Sequence, residues 1–401
     1  MRLDAIRALA QPADTKVLLL VLDGLGGLPL EAGGPTELEA ARTPNLDALA
    51  RAGTCGLHEP VAPGITPGSG PGHLALFGYD PLVYETGRGV LEALGIEFPL
   101  EPTDIAIRAN FCTVDEDGIV VDRRAGRIPT EQAAPLAERL DAIPCPGAEC
   151  FVRHVKEYRF LLVIRPEGPT GANVHDTDPG RTGEPPVEPR ARDEASEPAA
   201  RLMTAWLHGA RERLADEPRA NMALLRGASS LPTWPRFADV FGMRASAAAA
   251  YPMYRGVARL VGMDAIEVPE GPEPLVEAFR RRFDDYEFHF LHFKPPDKAG
   301  EDGDFERKVA VIEEADRIVP ALMDVGPDVV IVTGDHSTPS RLRSHSWHPV
   351  PFLISGGAAR NGTPRSFGET PCAGGAHGIV RGRALMPLAV ARAGRLAKFG
   401  A

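Results

Sequence analysis

Three apolar runs in this 401-residue chain lead into acids or histidine. Val17-LLLVL runs into Asp23, Asp328-VVIVTG into Asp335 and His336, and Glu287-FHFLHFK ends close to Asp297. Such runs suit parallel strands buried on both faces, and ligands of open α/β sheets bind at the carboxyl ends of those strands. Asp23, Asp297, Asp335, His336 and the later His345 are therefore candidate ligands, since Asp and His together hold manganese, zinc and related divalent ions. One such Asp alone reads as the cap of the helix that follows a strand. Together the five exceed that reading.

A second group is the loop Pro63-GITPGSGPGH-Leu74, with three prolines and four glycines around Ser69. Glycine-rich backbone ahead of a helix presents N–H groups to an anion, and it leaves a serine sterically bare, as a nucleophile must be. Basic groups come next. Asp122-RRAG-Arg127 carries Arg123, Arg124 and Arg127, and Arg226 follows Ala223-LL. Guanidinium pairs bidentately with carboxylate or phosphate, although a solvated turn would read the same way. His175-DTDP places Asp176 beside His175 in a Pro/Gly-rich stretch. His289 and His292 differ by an odd number and face opposite sides of their strand, so they read as packing. The nucleophile-elbow, P-loop, dinucleotide and zinc-helix motifs are absent.

These residues need a frame. Thr43 as N-cap, Pro44 at the first helical position and Gly53 as the stop predict a helix between them. Another is expected over His73–Asp80. Apolar residues at 305, 309, 312, 315 and 319 predict a helix that Pro320 kinks or ends. It would join the strands at 288–293 and 329–333 as a βαβ unit, hence a parallel sheet. Residues 165–200 read as a long loop, and Ala384–Ala401 as a closing helix. The expected division is an α/β domain of residues 1–94 and 246–401, with a lobe of residues 95–245 inserted.

Composition is that of an ordinary globular protein, with 43% hydrophobic and 25% charged residues. The net charge of −11 argues against binding nucleic acid or anionic membrane, but not against a small anion in a basic pocket. Five scattered cysteines without a C-x-x-C form no disulfide framework and fit a reducing cytosol. No apolar run reaches signal-sequence or membrane-span length, so a cytoplasmic protein is expected.

Taken together, Val21-LDGLGG, Pro67-GSGPGHLALFGYDP, Gly87-RGVLEALG, Asp104-IAIRANF, Asp122-RRAGR, His175-DTDP, Gly256-VARLVGMD, Lys294-PPDKAGEDGDF, Val332-TGDHS and His345-SWHPVP resemble the archaeal-type cofactor-independent phosphoglycerate mutases. That family lies within the alkaline phosphatase superfamily. The resemblance implies an α/β, alkaline-phosphatase-like three-layer domain with a mostly parallel sheet and a smaller inserted α/β lobe. It implies interconversion of 3-phosphoglycerate and 2-phosphoglycerate through a phosphoserine, without 2,3-bisphosphoglycerate. Two divalent cations are implied, manganese first, with magnesium, zinc or cobalt as alternatives. One would be held by Asp23, Ser69, Asp335 and His336, the other by Asp297, residue 301 and His345. Arg123, Arg124, Arg127, Arg226, Arg255 and His73 would hold the substrate, a small phosphate ester, and His175 or Asp176 would shuttle a proton. Lobe closure would exclude water, which separates a mutase from a phosphatase. Three positions depart from the family pattern. Glu301 stands where the family has His, Gly70-PG follows the serine in place of Asp-Thr-Ala, and Arg255 replaces a lysine. A phosphatase or phosphomutase of the same superfamily acting on another ester is the competing enzyme reading. A catalytically silent binding protein would show a broken ligand set.

Overall fold

The structure, a computed structural model, describes residues 2–358 and 364–400. The chain divides into two compact units, Met1–Glu85 with Trp234–Ala401, and Thr86–Thr233. Both edges lie earlier in sequence than the expected boundaries. The Arg88–Gly95 helix belongs with the second unit because it lies directly on that unit's sheet: a Cβ on Gly89 would stand 2.0 Å from the Ala106 carbonyl oxygen.

In chain order the strands are β1 (Val17–Leu22), β2 (Thr54–Glu59), β3 (Ile105–Val114), β4 (Val120–Asp122), β5 (Ala148–Lys156), β6 (Arg159–Pro166), β7 (Met222–Ser229), β8 (Ala245–Ala249), β9 (Asp264–Glu267), β10 (Phe288–Phe293), β11 (Val329–Thr333), β12 (Val350–Gly356) and β13 (Ile379–Arg381). Among the described residues the first unit carries an eight-stranded sheet in the order β13-β2-β12-β11-β1-β10-β8-β9. All its pairings are parallel except those that β12 makes with β11 and β2. The expected βαβ strands β10 and β11 are both parallel to β1, which lies between them.

Helices cover both faces of this sheet, so every residue of β1 is buried. Leu18, Leu20 and Leu22 pack with Leu46, Leu275, Phe279, Ile312 and Val319 on one side. On the other, Phe288 meets Phe237 and Phe290 meets Phe77, with ring centroids 4.7 and 5.0 Å apart. Burial on both faces is why the strand sequences do not alternate.

Three expected elements differ in extent. The serine helix spans Ser69–Leu76 rather than His73–Asp80. Pro71 is tolerated there because a first-turn N–H has no intrahelical partner to lose. The helix Phe305–Met323 continues through Pro320. The proline cannot donate to the Asp316 carbonyl, and Asn45 Nδ2 donates to that oxygen instead, at 3.2 Å. The closing helix is only Leu385–Arg392, stopped ahead of Gly394 at φ +70°. The chain then bridges back to Ala10 at Leu396, and Ala401 lies outside the described residues.

The second unit is built on antiparallel pairs, β4-β3-β6-β5, with β7 also bonded to β3. The helices Thr130–Asp141 and Glu197–Leu214 contribute Ala133, Ala137, Met203 and Trp206 to its core, with Phe111 and Phe160 from the sheet. The long loop runs from the end of β6 towards the second of these helices, crossed by one isolated bridge, Val174 to Ala191.

Candidate active site

Asp23 follows β1 and the Asp335–His336 pair follows β11, so the parallel register of these two strands brings their carboxyl ends together. Asp297 sits in the first turn of the helix Pro295–Asp302, just beyond β10. Two groups of ligand-type atoms result. Asp23, Asp335 and His336 form one, and Asp297, His336 and His345 the other, with the atoms of each group within 4.8 Å of one another. His336 belongs to both and stacks on His345 at a centroid distance of 3.6 Å.

Ser69 is the first residue of its helix, and its Oγ lies 3.2 Å from His336 Nε2. The close glycines explain how it gets there. A Cβ on Gly72 would stand 2.4 Å from the Asp335 carbonyl oxygen, so only glycine lets this helix lie on the loop after β11. Gly24, at φ +64°, allows a similarly tight approach to Thr338 and Asp297.

The electrostatics are those of a buried anionic centre. Asp23 and Asp335 are fully buried. Burial alone would raise the Asp23 carboxyl, but Lys294, His292 and His336 hold it well below the usual range. Burial and the neighbouring Asp23 also work against ionisation of Asp335, yet His336 and His73 keep it lowered. Asp23 Oδ1 and Asp335 Oδ2 nevertheless receive no hydrogen bond. Buried carboxylate oxygens without donors are costly unless a cation stands beside them. These orphaned oxygens, with an imidazole Nε2 and a hydroxyl at hand, fit a divalent metal ion.

Other candidates are placed differently. Glu301 lies one turn after Asp297, exposed, and belongs to neither group. His73 is fully buried: its Nδ1 is hydrogen-bonded to the Ser69 carbonyl oxygen at 2.8 Å and lies 3.2 Å from Asp335 Oδ2, an ion-pair contact. Burial would lower this imidazole, but Asp335 outweighs it and raises it. Arg255 is buried and bonded to the carbonyl oxygens of Ala249 and Ala250 and to Glu267 Oε2.

The remaining candidates are in the second unit. Arg123 is held bidentately by Asp178, at 2.7 and 2.8 Å, while Arg124 and Arg127 are exposed. His175 is exposed as well. Thr177 bonds both ways with Leu225 and so fixes the His175-DTDP segment along β7, where Asp176 Oδ1 accepts from the Gly227 N–H at 2.8 Å. Arg226 stands near Asp176 and Asp178, at 3.6 and 3.5 Å.

Several residues of both units escaped the sequence reading. Lys294 puts its ammonium 3.3 Å from Asp23 Oδ2 and 2.9 Å from Asp297 Oδ2, touching both groups, and its signal was the Lys-x-x-Asp spacing. Tyr254 donates to the same Asp23 oxygen and stacks on His292 at 3.6 Å. His292, read as packing, brings Nε2 to 3.3 Å from Asp23. In the second unit Arg108 lies directly across the strand pair from Arg226. Loss of solvent and the charges of these two depress the Arg88 guanidinium. Like charges placed opposite one another cost stability, and the Nε groups of Arg108 and Arg226 are buried without an acceptor. Glu92 lies 3.4 Å from Arg108 Nε, and Asp176 and Asp178 stand beside Arg226, so the arginines form a partly balanced basic cluster.

A sheet-end site of buried carboxylates and imidazoles around a helix-start serine is equipped for phosphoryl transfer. Comparison with known proteins gives the family. The family described as 2,3-bisphosphoglycerate-independent phosphoglycerate mutase matches residues 50–220. A protein of Thermus thermophilus named probable 2,3-bisphosphoglycerate-independent phosphoglycerate mutase is 50% identical over 401 residues, covering 99% of this chain and 98% of its own. The cofactor-independent phosphoglycerate mutase of Thermoplasma acidophilum is 31% identical with a TM-score of 0.68, covering 94% and 100%. The PH0037 protein of Pyrococcus horikoshii reaches a TM-score of 0.84 at 31% identity, covering 96% and 99%. The chain belongs to the 2,3-bisphosphoglycerate-independent phosphoglycerate mutase family.

Proposed function

We propose that this protein interconverts 3-phosphoglycerate and 2-phosphoglycerate without 2,3-bisphosphoglycerate, passing the phosphoryl group through Ser69. The observation that carries the reading is Ser69 Oγ set against His336 at the edge of the two ligand groups, in a chain that matches a family member over nearly its whole length. We assign Asp23, Ser69, Asp335 and His336 to one divalent ion. Asp297 and His345 are assigned to the other, with Glu301, the i+4 neighbour of Asp297 on the same helix face, as a further oxygen donor. Manganese is the proposed metal; bound there, the two ions would lower the pKa of the serine hydroxyl and offset phosphoryl charge.

The protein groups then divide the work. Ser69 Oγ forms a bond to phosphorus as the bond from phosphorus to the substrate oxygen breaks, leaving phosphoserine and glycerate. Glycerate turns, its other hydroxyl forms the new bond, and Ser69 is released. Lys294 supplies a fixed positive charge facing the transferred group. Asp176, beside His175, takes the proton of one glycerate hydroxyl and returns it to the other. Arg226, with Arg88 and Arg108, is assigned to the anionic groups of the substrate. Arg123 positions Asp178, and Arg124 and Arg127 remain candidates for the same anions. His73 and Arg255, both buried and bonded, are assigned to positioning. Location in the cytoplasm is part of the proposal, supported by five free cysteines. Among the described residues no helix is long and apolar enough to cross a membrane.

The test is a coupled assay. Metal-stripped protein receives manganese and 3-phosphoglycerate but no 2,3-bisphosphoglycerate; enolase reads 2-phosphoglycerate while free phosphate is followed in parallel. Manganese-dependent 2-phosphoglycerate with little free phosphate supports the proposal. Free phosphate alone would make the protein a phosphatase.

A further inference from the structure

Behind the two ligand groups lies one hydroxyl that touches both. Thr338 is fully buried in the loop after β11. Its Oγ1 lies 2.8 Å from Asp297 Oδ1 and 2.9 Å from His336 Nδ1. Asp297 belongs to one ligand group, and the other nitrogen of His336 faces the second. The hydrogen-bond directions follow from chemistry. A carboxylate only accepts, so the Thr338 hydroxyl donates to Asp297. Its lone pair then accepts from His336, which requires the proton on Nδ1 and leaves Nε2 bare towards Ser69 and Asp335.

We propose that Thr338 is the positioning residue that ties the two metal sites together, fixing the tautomer of His336 and the rotamer of Asp297 through a single hydroxyl. This rests on the metal-site reading above. The surroundings hold the hydroxyl in place. The Thr338 N–H donates to the Gly26 carbonyl oxygen at 3.0 Å, and the Thr338 carbonyl oxygen accepts from the buried Lys308 ammonium at 2.9 Å. Lys308 also donates to the Gly26 carbonyl oxygen, so it clamps the loop after β1 to the loop after β11. Gly24 closes the other side: a Cβ there would stand 2.6 Å from Thr338 Oγ1. These contacts fix the Thr338 backbone, and the bonds of Oγ1 to Asp297 and His336 then set its rotamer; groups that orient metal ligands are worth about 10–100-fold in metal affinity.

The experiment measures metal, not turnover. Equilibrium dialysis with manganese alone is run on the metal-stripped wild type and on Thr338→Val, Thr338→Ala and Thr338→Ser, each checked by thermal unfolding. Wild type should bind two manganese ions. Thr338→Val keeps the volume but loses the hydroxyl, and both sites should weaken by about 10–100-fold, as in Thr338→Ala. Thr338→Ser should retain wild-type affinity. Unchanged affinity in Thr338→Val, or equal weakening in Thr338→Ser, overturns the proposal. Nitrogen NMR of the wild type adds a reading that needs no variant: the His336 proton must sit on Nδ1, and a proton on Nε2 of the metal-free ring overturns the proposal. A wild type that binds no manganese sinks the metal-site reading itself, and this inference with it.

Discussion

Lys308→Met should be the most destabilising single change at the back of the site that leaves every proposed ligand in place. Lys308 Nζ is fully buried and donates to the carbonyl oxygens of Gly26 and Thr338, at 3.0 and 2.9 Å. It stands 4.0 Å from Glu37 Oε1. Glu37 is itself buried and accepts from Ser340 N–H, Ser340 O–H and Leu28 N–H. Methionine would fill the volume but leave the Thr338 carbonyl oxygen unpaired, the Gly26 carbonyl oxygen with only its bond from the Thr338 N–H, and one buried carboxylate without its counter-charge. Removing one partner of a buried pair costs about 3–5 kcal/mol. With a urea slope of about 3 kcal/mol per molar, the unfolding midpoint should fall by about 1–1.7 M. The assay is urea unfolding followed by circular dichroism, in chelator so that bound metal adds nothing to the apparent stability. Glu37→Gln in the Lys308→Met background should recover part of the loss, because it removes the stranded charge. The two changes together should cost less than their sum by about 0.5–3 kcal/mol. A midpoint within about 0.3 M of wild type, or strict additivity, would refute the claim that this ammonium clamps the two loops.

Other expectations arise from the same structure. Ser69→Ala should lower mutase turnover by at least about 10³-fold with an unchanged unfolding midpoint, and retained turnover would remove Ser69 as the carrier. Burial pushes His58 and His289 down to about 4, below the ordinary 6.5, so the folded state holds fewer protons than the unfolded state between those values. Their contribution is therefore complete above pH 6.5 and is lost as pH falls towards 4, by up to about 3 kcal/mol each. The double variant His58→Gln/His289→Gln should flatten the dependence of the urea midpoint over that window; an unchanged slope would show that other groups set it. Glu301→Gln should weaken one of two manganese ions by about 10-fold in dialysis and leave the other alone, whereas an unchanged isotherm would place Glu301 outside the site.

The strand-end acids were legible because a buried parallel strand has a signature, an unbroken apolar run, and the residues just past such a run stand at the sheet's carboxyl edge. Asp23, Asp335 and His336 were found that way. Ser69 showed through the glycines around it, one of which, Gly72, the close approach to Asp335 requires. The helix boundary there did not, because glycine and proline read as loop, while packing against the loop after β11 makes them the start of a helix. Pro320 misled for the same reason: Asn45, far away in sequence, donates to the Asp316 carbonyl oxygen that the proline leaves without its helical partner. Tyr254, Thr338 and the placing of Arg108 opposite Arg226 carry no local signal at all. Their roles arise from neighbours brought up by strand register and loop contacts, which no spacing in the chain records.

The central claim is that Ser69 carries the phosphoryl group between two oxygens of one glycerate. Rapid-quench analysis of the manganese-loaded enzyme with 3-phosphoglycerate labelled in its phosphate tests this most directly. Acid-stable label should form on the peptide holding Ser69 and decay as fast as 2-phosphoglycerate emerges, and Ser69→Ala should show none. Turnover at the normal rate with no label on that peptide, or with label passing through free 2,3-bisphosphoglycerate, would contradict the account.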